Sequence, residues 1–298
     1  MRITLRQLEI FAAIYQEQTV TSAARRIGLS QAAASQALAE LENLLQRRLF
    51  DRHGRRIRLN AAGRALLPAA VGVLDRVRNI EEDAPRQPVH LRLYASLTAG
   101  NYMLPPLIAR FLRRRPDTRF HVSLGNTERV MDSLLQFESD AGWIEGVAEH
   151  RDLVAIPWRD DELVVVARPD HPLAGKRAGP PKLEGQSWVL REKGSGTRAI
   201  FERAIAGRFS LSGALVEMGG VGAVKRAVLA GAGLGCLSRS AVEDELRTRR
   251  LRRVYTPWLN LRRKISILLH RQKHVDAGLR EFLDFCGARR LAGQTRER

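Results

Sequence analysis

Apolar positions at Leu8, Phe11, Ala12 and Tyr15 recur at helical spacing behind Thr4 and Gln7, a pair suited to capping each other's backbone. They predict a first helix. A short second helix follows, with Thr21 as its expected hydroxyl cap and Gly28 at the left-handed position that ends it. Ser30 then opens a third helix over 31–46, buried through Ala34, Leu38, Leu41 and Leu45. Leu49–Leu59 reads as two short strands around Gly54. Asn60 can cap a long helix reaching Glu82, with Leu66, Leu67, Ala70, Val73, Leu74, Val77 and Ile80 as an apolar stripe and Pro68 bending or limiting its early turns. Such a stripe needs a partner. A second copy of the helix is the simplest one, and packing onto the chain's own domain is the alternative. Glu81–Pro88, a charge run broken by two prolines, reads as a hinge.

From Val89 the pattern becomes alternating strands and helices. Strands are expected at Leu91–Tyr94, Phe120–Leu124, Ala141–Ile144, Leu163–Ala167, Trp188–Arg191, Leu215–Met218, Leu234–Ser238 and Ile265–His270. Between them lie helices marked by Leu104–Phe111, Val130–Phe137, Thr197–Ile205, Val224–Leu229 and Val242–Leu246. The fold class is α/β with mostly parallel sheets.

The first segment carries its own chemistry. A tight turn, a helix with a polar start and an arginine-rich hairpin together form a winged helix-turn-helix, which places a helix in the major groove of double-stranded DNA. Gln31, Ser35 and Gln36 are candidates for base edges, with Thr21, Ser30 and Ala33 beside them. Arg52, Arg55 and Arg56 suit phosphates or a narrow minor groove. An ordinary helical hairpin with solvated arginines is the bland alternative.

The 298 residues suffice for two or three domains, and a hydrophobic content of 44% allows real cores. A net charge of +18 favours a polyanionic partner. Arg247, Arg249, Arg250, Arg252, Arg253, Arg262, Arg263 and Lys264 lie far from the DNA end, and a GC-rich genome is an equal explanation for them. Cys236 and Cys286 sit in apolar stretches and read as structural thiols. The start runs directly into a helix, with no leader and no apolar run long enough for a membrane, so a cytoplasmic protein is expected.

Two stretches fit the rule that open α/β sheets bind ligands where strands end and helices begin. Ala95–Asn101 supplies Ser96 and Thr98; Arg191–Arg198 supplies Gly194, Ser195, Thr197 and Arg198. Hydroxyls, glycines and free backbone N–H groups at a helix start hold a small anion without a buried full positive charge. Glu145 closes the pocket, and Arg198 is the weaker candidate because its side chain can face solvent. Alternatively, these residues only cap helices. Lys193–Thr197 has the wrong order for a phosphate loop, and Gly231–Gly235 follows a helix where a dinucleotide turn follows a strand. Neither a nucleophile–base–orienter set nor a metal cluster can be assembled, so no enzyme, catalytic residue, metal or cofactor is expected.

Leu5–Phe11, Ser22-Ala23-Ala24, Leu29-Ser30-Gln31, Leu41-Glu42 and Leu49-Phe50-Asp51-Arg52 together resemble the LysR-type transcriptional regulators, over essentially the whole chain. Ala32 and Gln36 stand where the family pattern has proline and arginine, which bears on base preference. The resemblance implies a DNA-binding domain over 1–60, a dimerising linker over 61–87 and an effector-binding half over 88–298. That half would form two Rossmann-like subdomains of periplasmic-binding-protein type, 88–163 plus 266–298 and 164–265. It also implies a homodimer or homotetramer, with RNA polymerase as a further partner. Ser96–Pro105, Gly125-Asn126-Thr127, Ile144-Glu145-Gly146, Leu190–Arg198 and His270–His274 resemble the YeiE/CysL branch, and more loosely the CbbR regulators of carbon fixation. The first implies a small oxyanion effector, sulfite above all; the second implies an organic or phosphorylated metabolite. Met218–Gly222 departs from the loop expected there. A cytoplasmic oxyanion-binding protein is the competing class, since the effector half shares the binding-protein plan.

Overall fold

The computed structural model describes residues 2–53, 56–82, 89–146 and 150–288. Two compact units form, Met1–Gln87 with Gln272–Arg280, and Pro88–Arg271 with Glu281–Arg298.

In the first unit, α1 (Leu5–Glu17) starts at a reciprocal cap: Thr4 Oγ1 accepts from Gln7 N at 3.2 Å and Gln7 Oε1 from Thr4 N at 3.0 Å. The second helix, α2 (Val20–Arg26), is capped by Thr19, whose hydroxyl accepts from Ser22 N at 3.1 Å. This corrects the expectation for Thr21. Thr19 has the extended backbone that a cap requires, whereas Thr21 already lies inside the helix. Gly28, at φ +69°, turns the chain, and Ser30 caps α3 (Gln31–Leu45) by accepting from Ala33 N at 3.1 Å. The antiparallel pair β1 (Phe50–His53) and β2 (Arg56–Leu59) follows. Then comes α4 (Ala61–Glu82), where Asn60 Oδ1 accepts from Gly63 N at 3.0 Å. A side chain at Gly63 would meet the Leu49 carbonyl oxygen at 2.2 Å and the Leu59 side chain at 2.6 Å, so glycine lets the first turn of α4 close on the hairpin. Phe11, Ile14, Ala23, Ala34, Leu41 and Leu49 are fully buried between these elements.

The stripe of α4 divides in two. Leu67, Ala70 and Leu74 pack into the unit's own core, as the alternative held. Val73 and Ile80 are 38% and 76% exposed. Asp75 is buried on the same helix and accepts from Lys273 Nζ at 2.6 Å. Pro68 sits inside α4 without ending it.

The second unit is a nine-stranded sheet with helices between its strands. Its first half contains β3 (His90–Ser96), α5 (Leu104–Arg114), β4 (Arg119–Gly125), α6 (Thr127–Leu135) and β5 (Ala141–Glu145). A long β6 (Leu153–Ala167) leads to the second half: α7 (Pro180–Leu183), β7 (Trp188–Arg191), α8 (Gly196–Ile205), β8 (Leu215–Met218), α9 (Val221–Leu229), β9 (Leu234–Ser238), α10 (Arg239–Arg247) and β10 (Arg252–Val254). The chain returns along β11 (Arg262–His270) and passes into α11 (Ala277–Phe285), of which Glu281–Phe285 belong to this unit. Strand order is β4-β3-β5-β11-β6-β9-β7-β8, with β10 also on β6.

Among the strands, parallel pairing is confined to two groups, β4-β3-β5 and β9-β7-β8. The strands that join them, β6 and β11, are antiparallel to each other and to β5, β9 and β10. This corrects the mostly parallel expectation. The expected strand Leu163–Ala167 is only the end of β6; the strand begins at Leu153, and Leu153–Glu162, with the charged stretch Arg159–Glu162, pairs with β11. The expected loop Ala95–Asn101 is also ordered. Ala95 and Ser96 end β3, Leu97 and Thr98 are already helical, and Ala99–Met103 forms a π-helical turn running into α5.

Candidate functional site

On α3, Gln31, Ala33, Ser35 and Gln36 are exposed on the side opposite buried Ala34 and Leu41, and Thr21 is exposed on α2. One polar face at a helix start is what groove reading requires. The hydroxyl of Ser30 is already used as the cap. Gln36 Nε2 donates to Glu40 Oε1 at 3.0 Å, and Gln7 Nε2 reaches the other Glu40 oxygen at 3.4 Å. Arg52 lies on β1 and Arg56 on β2, while Arg55 and Gly54 fall outside the described residues.

In the second unit, β11 delivers the group that organises the site. Arg262 and Lys264 are exposed, whereas Arg263, Ile265 and Ile267 alternate with them into the interior. The Arg263 side chain is 1% exposed. Its Nε donates to Asp161 Oδ2 at 2.6 Å, Nη1 to Thr197 Oγ1 at 2.9 Å and Nη2 to Thr98 Oγ1 at 3.4 Å. Asp161 takes a further bond from Ser238 Oγ at 2.7 Å. Thr98 follows β3 and Thr197 lies in the first turn of α8, so one guanidinium joins the two sequence-predicted stretches.

Two expectations change here. A full positive charge is buried among the hydroxyls, and a member of the distal basic cluster supplies it. Burying it is tolerable because Asp161 neutralises it and three acceptors satisfy its edge. The period-two alternation of β11 was the available signal. A charged residue on the inward face of an apolar strand has to meet a partner.

Glu145, at the end of β5, is 4% exposed, and its Oε1 accepts from Thr98 N at 3.2 Å. The carboxylate thus occupies a helix-start N–H that the sequence left open for a ligand. Gly194, at φ +82°, and Ser195 lead into α8, and Ser195 makes no side-chain cap bond. Glu145, Gly194, Ser195, Gly196 and Arg263 line one cleft of about 950 Å³, with Arg203, Arg208, Arg262 and Lys264 around it. A Cβ on Gly196 would meet the Glu145 carbonyl oxygen at 2.6 Å, so glycine lets the two walls approach. The hydroxyl oxygens of Ser96 and Thr127 are buried without a partner among the described residues.

Arg198 is buried, not solvent-facing. It donates through Nη1 to the Arg191 carbonyl at 3.2 Å and through Nε to Glu202 at 2.6 Å. Burial pushes Glu192 up, but the paired guanidinium of Arg191 outweighs it and holds the carboxyl below its usual range. Both cysteines are free and buried, with thiols pushed up to about 12 by burial, as structural thiols require. Among the described residues, no group of His, Cys, Asp and Glu could hold a metal, and no helix is long and apolar enough to cross a membrane.

Residues 5–64 match the family described as bacterial regulatory helix-turn-helix protein, lysR family, and residues 87–290 match the LysR substrate binding domain. The chain is a LysR-type transcriptional regulator. It is 41% identical over 286 residues to the HTH-type regulator YeiE of Escherichia coli strain K12, covering 96% of this chain and 98% of the relative. Identity to CysL of Bacillus subtilis is 30%, covering 88% and 89%. Identity to the RuBisCO operon transcriptional regulator of Acidithiobacillus ferrooxidans is 31%, covering 98% and 96%. These relatives are regulators, not enzymes. Among solved structures, a full-length OxyR variant from Pseudomonas aeruginosa shares the fold at TM-score 0.76 and 22% identity, covering 97% and 98%. The regulatory domain of Synechocystis CcmR in complex with 2-PG matches at TM-score 0.62 and 29% identity, covering 67% of this chain and 96% of that one.

Proposed function

We propose that this regulator binds DNA as a homodimer or higher oligomer and that a small oxyanion, sulfite foremost, gates it at the start of α8. The arrangement of Arg263 carries the reading. A hydroxyl that accepts from a guanidinium keeps its own proton to donate. Thr98 and Thr197, each accepting from Arg263, therefore keep a hydroxyl proton to offer, just behind the cleft wall. Ser195 and the first N–H groups of α8 supply more donors on the cleft side. The resemblance of Ser96–Pro105 and Leu190–Arg198 to the YeiE/CysL branch is what favours a small anion within that class.

The cleft's size and its rim of Arg203, Arg208, Arg262 and Lys264 favour a second reading, a phosphorylated organic acid, in keeping with the CcmR domain solved with 2-PG. Calorimetric titration of the full-length protein separates them. Sulfite should bind the parent and lose at least tenfold in affinity with Thr197→Val. Unchanged affinity in that variant would refute the site. Binding of a phosphorylated acid, but of no inorganic anion, would establish the second reading.

A further inference from the structure

We propose that Glu145 sets which anions the site accepts: oxyanions that carry a proton are admitted, and oxyanions without one are rejected. The inference rests on the small-anion reading above. The start of α8 offers donors to the cleft, Ser195 and the first N–H groups of the helix beside Arg263, and Thr98 and Thr197 are buried behind them on the guanidinium. Asp161 already balances the charge of Arg263 at 2.6 Å, so this guanidinium offers a fully ionised ligand no net charge, and the cations of the cleft stand on its rim.

Glu145 is the exception in this set. It lines the cleft with Gly194, Ser195 and Arg263, and the Thr98 N–H is the one hydrogen bond it receives among the described residues. That bond anchors Oε1 and holds the carboxylate at the site. A carboxylate can only accept. Opposite an oxyanion with no proton, it sets two acceptors and two negative charges against each other away from bulk water, which is costly. Opposite hydrogensulfite or hydrogenphosphate, the ligand's own O–H donates to the carboxylate and the contact becomes a charge-assisted hydrogen bond. Discrimination then comes from a built-in repulsive element and needs no difference in size.

Phosphate and sulfate test this directly, because they have nearly the same shape and differ at neutral pH in carrying a proton. Calorimetry in a buffer free of both, on the full-length protein, should show sulfite and phosphate binding at least tenfold tighter than sulfate. In Glu145→Gln the amide can donate, so sulfate should gain and the ratio fall to about threefold or less. Circular dichroism checks that the variant folds, and the parent's own preference tests the idea without any variant. Sulfate binding to the parent within twofold of phosphate and sulfite would overturn the inference while leaving the anion site standing. An unchanged ratio in a folded Glu145→Gln protein would do the same. Failure of the parent to bind any of the three would overturn the small-anion reading itself, and this inference with it.

Discussion

Arg263, Asp161, Thr98 and Thr197 form one hydrogen-bonded set, so a change at one member is felt by the others. Thr197→Val keeps the volume but leaves Nη1 without its acceptor. It should cost about 1–3 kcal/mol of stability in the effector half, read by chemical denaturation, besides the loss of anion binding. Asp161→Asn should do more damage than Thr197→Val, because it leaves a buried charge without its counter-charge. On the DNA side, Gln31→Ala should cost about 1–3 kcal/mol at the specific site and relax one base position, measured by selection from random duplexes. Unchanged selectivity would mean that another residue of α3 faces the bases. His270, buried against Phe137, has its imidazole pushed below its ordinary 6.5 by burial. The unfolded chain takes up that proton first, so this contribution to stability is present above pH 6.5 and declines as pH falls through it. A pH series of unfolding midpoints checks the direction.

At the scale of elements, the sequence was most legible where one local rule decides. The reciprocal cap of α1, the Ser30 cap, the Gly28 turn and the Asn60 cap each depend on a few neighbouring residues. Where several rules compete, the sequence is less legible. Thr19 carries the same hydroxyl as the expected Thr21, and its extended backbone makes it the cap. The charged stretch Arg159–Glu162 of β6 is held in the sheet by long-range pairing with β11, which no window of sequence reveals. Arg263 was visible as a residue but not as a partner, because Thr98 and Thr197 lie far from it in sequence. The α4 stripe was seen whole, yet packing divides it. Leu74 belongs to the unit's own core, so Leu74→Asp should unfold that unit. Ile80→Asp should leave the fold intact and remove the dimer if the exposed face is the seam. Light scattering separates the two outcomes, and a dimeric Ile80→Asp protein would place the interface elsewhere.

For the whole molecule, the wing, the polar face of α3 and membership of the LysR family make DNA the partner. Gating requires more than binding, since a ligand shifts an equilibrium only through a difference in affinity between two states. Coupling of this kind is typically worth about 1–3 kcal/mol, or some 5–150-fold. Fluorescence anisotropy of the full-length regulator on its own upstream DNA, with and without saturating sulfite, measures that difference directly. The account predicts a shift of at least about fivefold in DNA affinity that disappears in Thr197→Val. Identical curves with and without sulfite, under conditions where the anion is bound, would contradict it.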